Sequence, residues 1–199
     1  SAGQVPESAI AGMADDAIDF WFSTGSTYAY RHRDDRLDDA IANVTLSSTV
    51  RQRQNVDAIV AKGVELTAQA ALGDFRLSGS YTYSHSRVKA PGEAFDGLMP
   101  SQTPRHAASG TLAYSSANGP SLSTTLRYVS RQYEDDLQSD ALPGAVTLDA
   151  VARLPVGHGV TFVARGENLF DETVFTRNAG GSIDLGTPRT LWIGIRVVH

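Results

Sequence analysis

Apolar and polar positions alternate along most of the chain, most cleanly from Gly63 to Val88. Before Gly73-Asp74 the even positions are apolar: Val64, Leu66, Ala68, Ala70 and Leu72. After it the odd positions take over, with Phe75, Leu77, Gly79, Tyr81 and Tyr83. A period of two predicts β-strands, because successive strand side chains point to opposite faces. Gly73-Asp74 then reads as a two-residue hairpin loop, with glycine where φ must be positive. That loop sets Leu72 opposite Phe75, Ala70 opposite Leu77, Leu66 opposite Tyr81 and Val64 opposite Tyr83. One face of the hairpin is uncharged. The other carries Glu65, Thr67, Gln69, Arg76, Ser78, Ser80 and Thr82. A one-residue slip would exchange the faces, so turn and pattern reinforce each other.

The same reading extends over the chain. Residues 1–16 are a flexible lead-in, or residues left by cloning, and 17–199 form one unit. Ile18, Phe20 and Phe22 alternate in a strand over 17–22, Ser23 to Ser26 turn the chain, and Tyr28, Tyr30 and His32 resume the pattern. The acidic stretch Asp34 to Asp39 is expected to open a solvated loop reaching about Asn55. The hairpin occupies 56–72 and 74–88. Further strands are predicted over 106–114, 121–130, 145–154, 160–168 and 188–198. Short turns at 23–26, 73–74, 115–120 and 155–159 interleave with long loops at 34–55, 89–103, 131–144 and 170–187. The fold class is therefore all-β, an antiparallel up-and-down meander of eight to nine strands with all long loops at one end. That is the layout of a transmembrane β-barrel.

A soluble antiparallel sandwich alternates as well. Two features separate the readings. None of the alternate apolar positions is charged, whereas the opposite faces carry Glu65, Arg76, Arg127, Asp149, Arg153, Arg165, Glu167 and Arg196. A packed core would exclude charge equally, but these faces are rich in Ala and Gly and poor in Phe and Leu, which suits lipid better. Tyr81, Tyr83, Tyr114 and Tyr128 fall towards strand ends, as an interfacial aromatic girdle would. Core tyrosines with satisfied hydroxyls are the alternative.

Composition narrows the function classes. The net charge of −5 over 199 residues argues against a nucleic-acid partner. With no cysteine there is no disulfide framework or thiol chemistry. No apolar run approaches the roughly 20 residues of a transmembrane helix. The N-terminus lacks the basic and apolar regions of a signal peptide, as a mature chain or a piece beginning mid-protein would. The five histidines, His32, His85, His106, His158 and His199, show no ligand spacing, so no metal site is expected. No nucleophilic triad, P-loop or His-Glu-x-x-His motif is present, so neither catalysis nor a cofactor is expected. Glu65 and Arg76 are placed to pair on the charged face. Glu167-Asn168 and Pro188-Arg189 are expected to position strand ends.

Three segments carry a family resemblance: Asn55 to Leu66 (Asn-Val-Asp-Ala-Ile-Val-Ala-Lys-Gly-Val-Glu-Leu), Pro104-Arg-His106, and Glu167-Asn-Leu-Phe-Asp-Glu172 followed by Gly186-Thr-Pro-Arg-Thr190. They resemble the C-terminal part of the β-barrel of TonB-dependent outer-membrane receptors. The resemblance implies residence in the outer membrane of a Gram-negative bacterium. It also implies import of scarce nutrients, ferric siderophore-type ligands foremost, energised through TonB. In that family a plug domain and a TonB-contacting box precede a barrel of about 22 strands. Neither lies in these 199 residues, which would supply roughly the last third of such a barrel. His199 stands where outer-membrane barrels usually end in an aromatic residue. The implied partners are outer-membrane lipid, a small-molecule or metal-chelate ligand, and the TonB complex through N-terminal parts only. By itself the chain is expected to self-associate. Family members bind ligand through extracellular loops and the upper lumen, which makes Tyr133, Glu134, Asp135, Asp136, Asp140, Arg177 and Asn178 the candidate ligand contacts. Solvated acidic loops, or loops holding divalent cations with lipopolysaccharide, are the alternative. Two other functions stay open: a small autonomous barrel acting as anchor or adhesin, and a soluble β-sandwich binding module.

Overall fold

Strand pairing builds a single large sheet. The computed structural model describes residues 17–22, 26–45, 51–117 and 119–198. In chain order its strands are β1 (Ala17–Phe22), β2 (Ser26–Thr45), β3 (Arg51–Leu72), β4 (Phe75–Lys89), β5 (His106–Ser115), β6 (Ser121–Val129), β7 (Gln132–Tyr133), β8 (Ala141–Leu142), β9 (Ala145–Gly157), β10 (Val160–Glu167), β11 (Phe175–Ala179), β12 (Ser182–Leu185) and β13 (Thr190–Val197). Nine of them form one antiparallel sheet in the order β1-β2-β3-β4-β5-β6-β9-β10-β13. The remaining four make two small ladders, β7 with β8 and β11 with β12. β1 and β13 are its edges, so the sheet is an open meander.

The predicted hairpin register holds throughout. Leu72 pairs with Phe75, Ala70 with Leu77, Leu66 with Tyr81 and Val64 with Tyr83. Gly73 takes φ 55°, the left-handed conformation the tight loop requires. Neighbouring strands keep the phase. The outer row that begins at Leu72 passes through Phe75, Tyr114, Leu122, Ala152 and Ala164 to Ile193. A polar row on the reverse side passes through Gln69, Ser78, Thr111, Thr125 and Asp149.

The apolar side is not a core. Leu72 is 81% exposed and Ile193 87%, with Leu77, Leu191 and Ile195 also open. Apolar burial concentrates instead at the long-loop end, where Phe95 packs with Ala40, Val56, Val88 and Ala90. A sandwich would bury these sheet faces against each other; here one sheet leaves its apolar face bare, and the sandwich reading falls.

Four predicted boundaries are corrected. Residues 34–55 are not a loop from Asp34 onward. β2 and β3 stay paired well past the apolar zone, with Asp34 opposite Lys62 and Asp38 opposite Ala58. The ladder is reinforced by ion pairs between Lys62 and Asp34 (3.1 Å) and between Arg33 and Glu65 (2.6 Å). Polarity there signals water on both faces, and a paired ribbon tolerates water as well as a loop does. Likewise, 170–187 folds into the β11–β12 hairpin around Gly180-Gly181, and 131–144 contains the short β7–β8 ladder. The turn expected at 155–159 contracts to His158-Gly159, with Gly157 already paired opposite Val160. β9 continues through Pro155, and a bulge at Val160/Thr161 absorbs the register shift. Gly159, at φ 74°, sits where a Cβ would lie 2.1 Å from the Val198 carbonyl oxygen. Residues 1–16, residues 23–25 of the first turn and His199 lie outside the described residues, and so do the expectations for them.

Candidate functional site

Two groups of polar side chains stand out: a cap at the long-loop end and a charged wall along the polar face. The cap is built from residues 89–103, 131–144 and the β11–β12 hairpin. Asp135 is fully buried and accepts hydrogen bonds from the backbone N–H groups of Ser139 (2.9 Å) and Asp140 (3.1 Å) and from the Ser139 hydroxyl (2.8 Å). A carboxylate satisfied by nearby donors in this way closes its own loop. Asp136, also buried, reaches across to the next loop and accepts from the Ser101 N–H at 2.7 Å. Gln102 continues the seam. Its N–H donates to the Tyr133 carbonyl (2.7 Å) and its side-chain amide to Glu134 (3.4 Å). Asn178 ties in the hairpin by donating to the Ala141 carbonyl at 3.1 Å.

Five of the sequence-nominated residues, Tyr133, Glu134, Asp135, Asp136 and Asp140, thus share one cluster, and Asn178 is fastened to it. Arg177 is apart, exposed and facing Asp184 at 3.4 Å. Glu134, Asp135 and Asp136 are buried rather than solvated, contrary to the plainest reading of an acidic loop. Of the group, Tyr133 and Asp140 are the half-buried members, with the Arg131 guanidinium 5.1 Å above the Tyr133 ring. Ser101 and Gln102 carry no sequence signal for this role, since the bond depends on loops brought together only by the sheet.

Asn168 joins the cap to the wall. It is buried in a left-handed conformation, φ 48°. Its side-chain amide donates to the carbonyls of Glu172 (2.8 Å) and Thr187 (3.1 Å), and its Oδ1 accepts from the Glu172 N–H (3.0 Å). Its own N–H donates to Asp149 Oδ1 at 2.9 Å. Asp171 pairs with Arg189 at 3.2 Å across the same junction. Glu167-Asn168 and Pro188-Arg189 therefore do position strand ends, by clamping both feet of the β11–β12 hairpin.

On the wall, Arg127 pairs with Asp149 and Arg165 with Glu167, and Arg165 lies 5.3 Å from the Trp192 ring. Hydroxyl pairs Ser80–Ser109 and Thr111–Thr125, each at 2.9 Å, cross neighbouring strands β4–β5 and β5–β6 on the same face. The expected Glu65–Arg76 pair does not form. Glu65 lies opposite Thr82 and Arg76 opposite Ala71, several rungs apart, and Glu65 takes Arg33 instead. Among the described residues no group of acidic and histidine side chains is arranged to hold a metal ion.

A sequence model of the family described as TonB dependent receptor-like, beta-barrel matches residues 15–169. The chain belongs to this family. Such proteins are transport receptors rather than enzymes. The ferrichrome outer membrane transporter/phage receptor of Escherichia coli K12 is 32% identical over 122 residues, which cover 57% of this chain and 16% of that protein. Among solved structures, the ferric yersiniabactin uptake receptor FyuA from Yersinia pestis superposes with TM-score 0.75 at 18% identity, over 90% of this chain and 28% of that one. The siderophore receptor PiuA from Acinetobacter baumannii gives TM-score 0.73 at 18% identity, over 91% and 27%. The structural likenesses establish the TonB-dependent receptor barrel fold, and the chain spans about a sixth of the length of the curated relatives it matches. In transmembrane barrels the uncharged outer face meets lipid and the polar face lines the lumen; here the cap lies at the long-loop end of the sheet. The Asn168 clamp extends beyond the matched residues.

Proposed function

We propose that the chain forms part of the wall of an outer-membrane active-transport receptor for scarce nutrients, with ferric siderophore-type chelates as cargo and energy delivered through TonB. The observation that carries this reading is the two-sided sheet: an uncharged face left open on one side, an ion-paired face on the other, and interlocked loops over one end. A charged lining and loops interlocked at one end suit controlled passage of a polar solute; an anchor or adhesin needs neither. The curated relative's name, a ferrichrome transporter, supplies the cargo class. In this role Tyr133, Asp140, Arg177 and Asn178 are the cap residues placed to meet cargo, while Asp135 and Asp136 hold the cap's shape.

The test is uptake of radiolabelled iron chelates by cells carrying the intact receptor, compared with cells in which residues 131–144 are replaced by a short Gly-Ser linker. Energy-dependent uptake that falls with the replacement supports the proposal. Cells that insert the receptor normally yet show no energised uptake of any chelate would overturn it.

A further inference from the structure

The loop over residues 89–103 is held by two chemically different junctions. One is dry. Phe95, only 1% exposed, packs with Ala40 of β2, Val56 of β3, Val88 of β4 and Ala90 just beyond it. Ile59 and Leu98 border the same cluster, and Leu137 reaches it from the 131–144 loop. Backbone bonds fix the loop that carries the ring. The Val88 N–H donates to the Leu98 carbonyl and the Gly97 N–H to the Val88 carbonyl, each at 2.9 Å. The Ala90 N–H donates to the Asp96 carboxylate at 2.9 Å. The other junction is polar, and ties Ser101 and Gln102 to Asp136, Tyr133 and Glu134. The β2–β3 ribbon and the β7–β8 ladder of the cap belong to different sheets. They meet through this loop.

We propose that Phe95 is a latch that makes the outer ribbon and the 131–144 loop open as one unit, so that displacement of either reaches the other through the ring. The socket is walled largely by short side chains, Ala40, Ala90, Val56 and Val88. None is long enough to fill the space the ring would leave, and a void in a close-packed cluster is costly. Partial withdrawal is therefore disfavoured, and the ring is either seated or out. The polar seam behaves differently, because its hydrogen bonds can be exchanged for water one at a time. The dry junction sets the cooperativity and the seam passes it on to the cap. Coupling of this kind is reciprocal: a contact that steadies the cap steadies the ribbon by the same amount. The latch is a property of the loops themselves and holds whatever the cap binds.

Hydrogen exchange read by mass spectrometry on the intact receptor in detergent, with urea added in steps, tests the coupling. Peptides from the outer ribbon, 34–45 and 51–58, and from 131–144 should lose protection at one urea concentration, while peptides from β5 and β6 stay protected. Phe95→Ala should speed exchange in both segments together by about a hundredfold, as expected for truncating an aromatic side chain in a packed cluster. Phe95→Leu, which keeps an apolar filler, should speed both by less. A Phe95→Ala variant whose faster exchange is confined to 89–103 would overturn the latch. So would separate urea midpoints for ribbon and cap in the parent, a result that needs no variant to fold. Chelate uptake forms no part of this readout, so a failed transport reading leaves the latch standing.

Discussion

The carboxylate of Asp136 accepts a hydrogen bond from the backbone N–H of Ser101 at 2.7 Å, joining two loops that are 35 residues apart in sequence. Two strands, β5 and β6, separate these loops along the chain. The bond is therefore a tertiary one, and it makes the cap one body.

Asp136→Ala should unfasten that body. The Ser101 N–H would lose a charged acceptor, at a cost of about 1–3 kcal/mol. Protease cleavage within 131–144 on intact cells should rise severalfold, with barrel yield unchanged. Cleavage at the parental rate would show that Gln102 and Tyr133 hold the seam without Asp136.

Asn168→Ala should loosen the clamp on the β11–β12 hairpin. The variant leaves two carbonyls and one N–H without their side-chain partner and places a Cβ-bearing residue without Asn's tolerance at φ 48°. A loss of about 1–3 kcal/mol is expected, read as a lower temperature for conversion of the folded, heat-modifiable band on gels. Asn168→Gly suits the backbone but not the hydrogen bonds, and should fall between.

Face assignment gives a paired comparison. Leu148 lies on the uncharged side opposite Leu126, and Thr147 on the charged wall opposite Arg127. Leu148→Arg puts a charge against hydrocarbon, up to about 2–4 kcal/mol at the bilayer midplane. Thr147→Arg places it in water. Outer-membrane yield should drop more for the first; equal yields would contradict the assigned faces.

Topology is tested by tags. An epitope within 89–103 or 131–144 should be reached by antibody on intact cells, and one at Gly157-His158-Gly159 should not. Labelling at His158 on intact cells would invert the orientation.

Without detergent, the chain should not sediment as a monomer. An apolar face this large and two free sheet edges both invite association. A cooperative melt from a detergent-free monomer would mean that the apolar face had found cover within the chain.

Much of the sheet was legible because alternation and turn chemistry point the same way. Gly73-Asp74 fixes one register, and each neighbouring strand inherits the phase, down to Ile193. Misreadings arose where polarity has two causes. Asp34, Arg36 and Asp38 look like a loop because loops are wet, yet a paired ribbon beyond the membrane is equally wet. In the same way Asp135 and Asp136 look solvated, because their donors, Ser139 nearby and Ser101 far off, are visible only once the chain is folded.

The length of the β2–β3 ribbon has a mechanical consequence. β3 has 22 residues, whereas a tilted membrane strand needs about 9–11. At about 3.3 Å per residue, some 35 Å of paired strand is left over. The ladder between β2 and β3 continues from the barrel wall to Thr45 opposite Arg51. Such a spar is stiff along its length. A push or pull at its outer end is delivered to the barrel rim as leverage, where a slack loop of the same composition would simply absorb it.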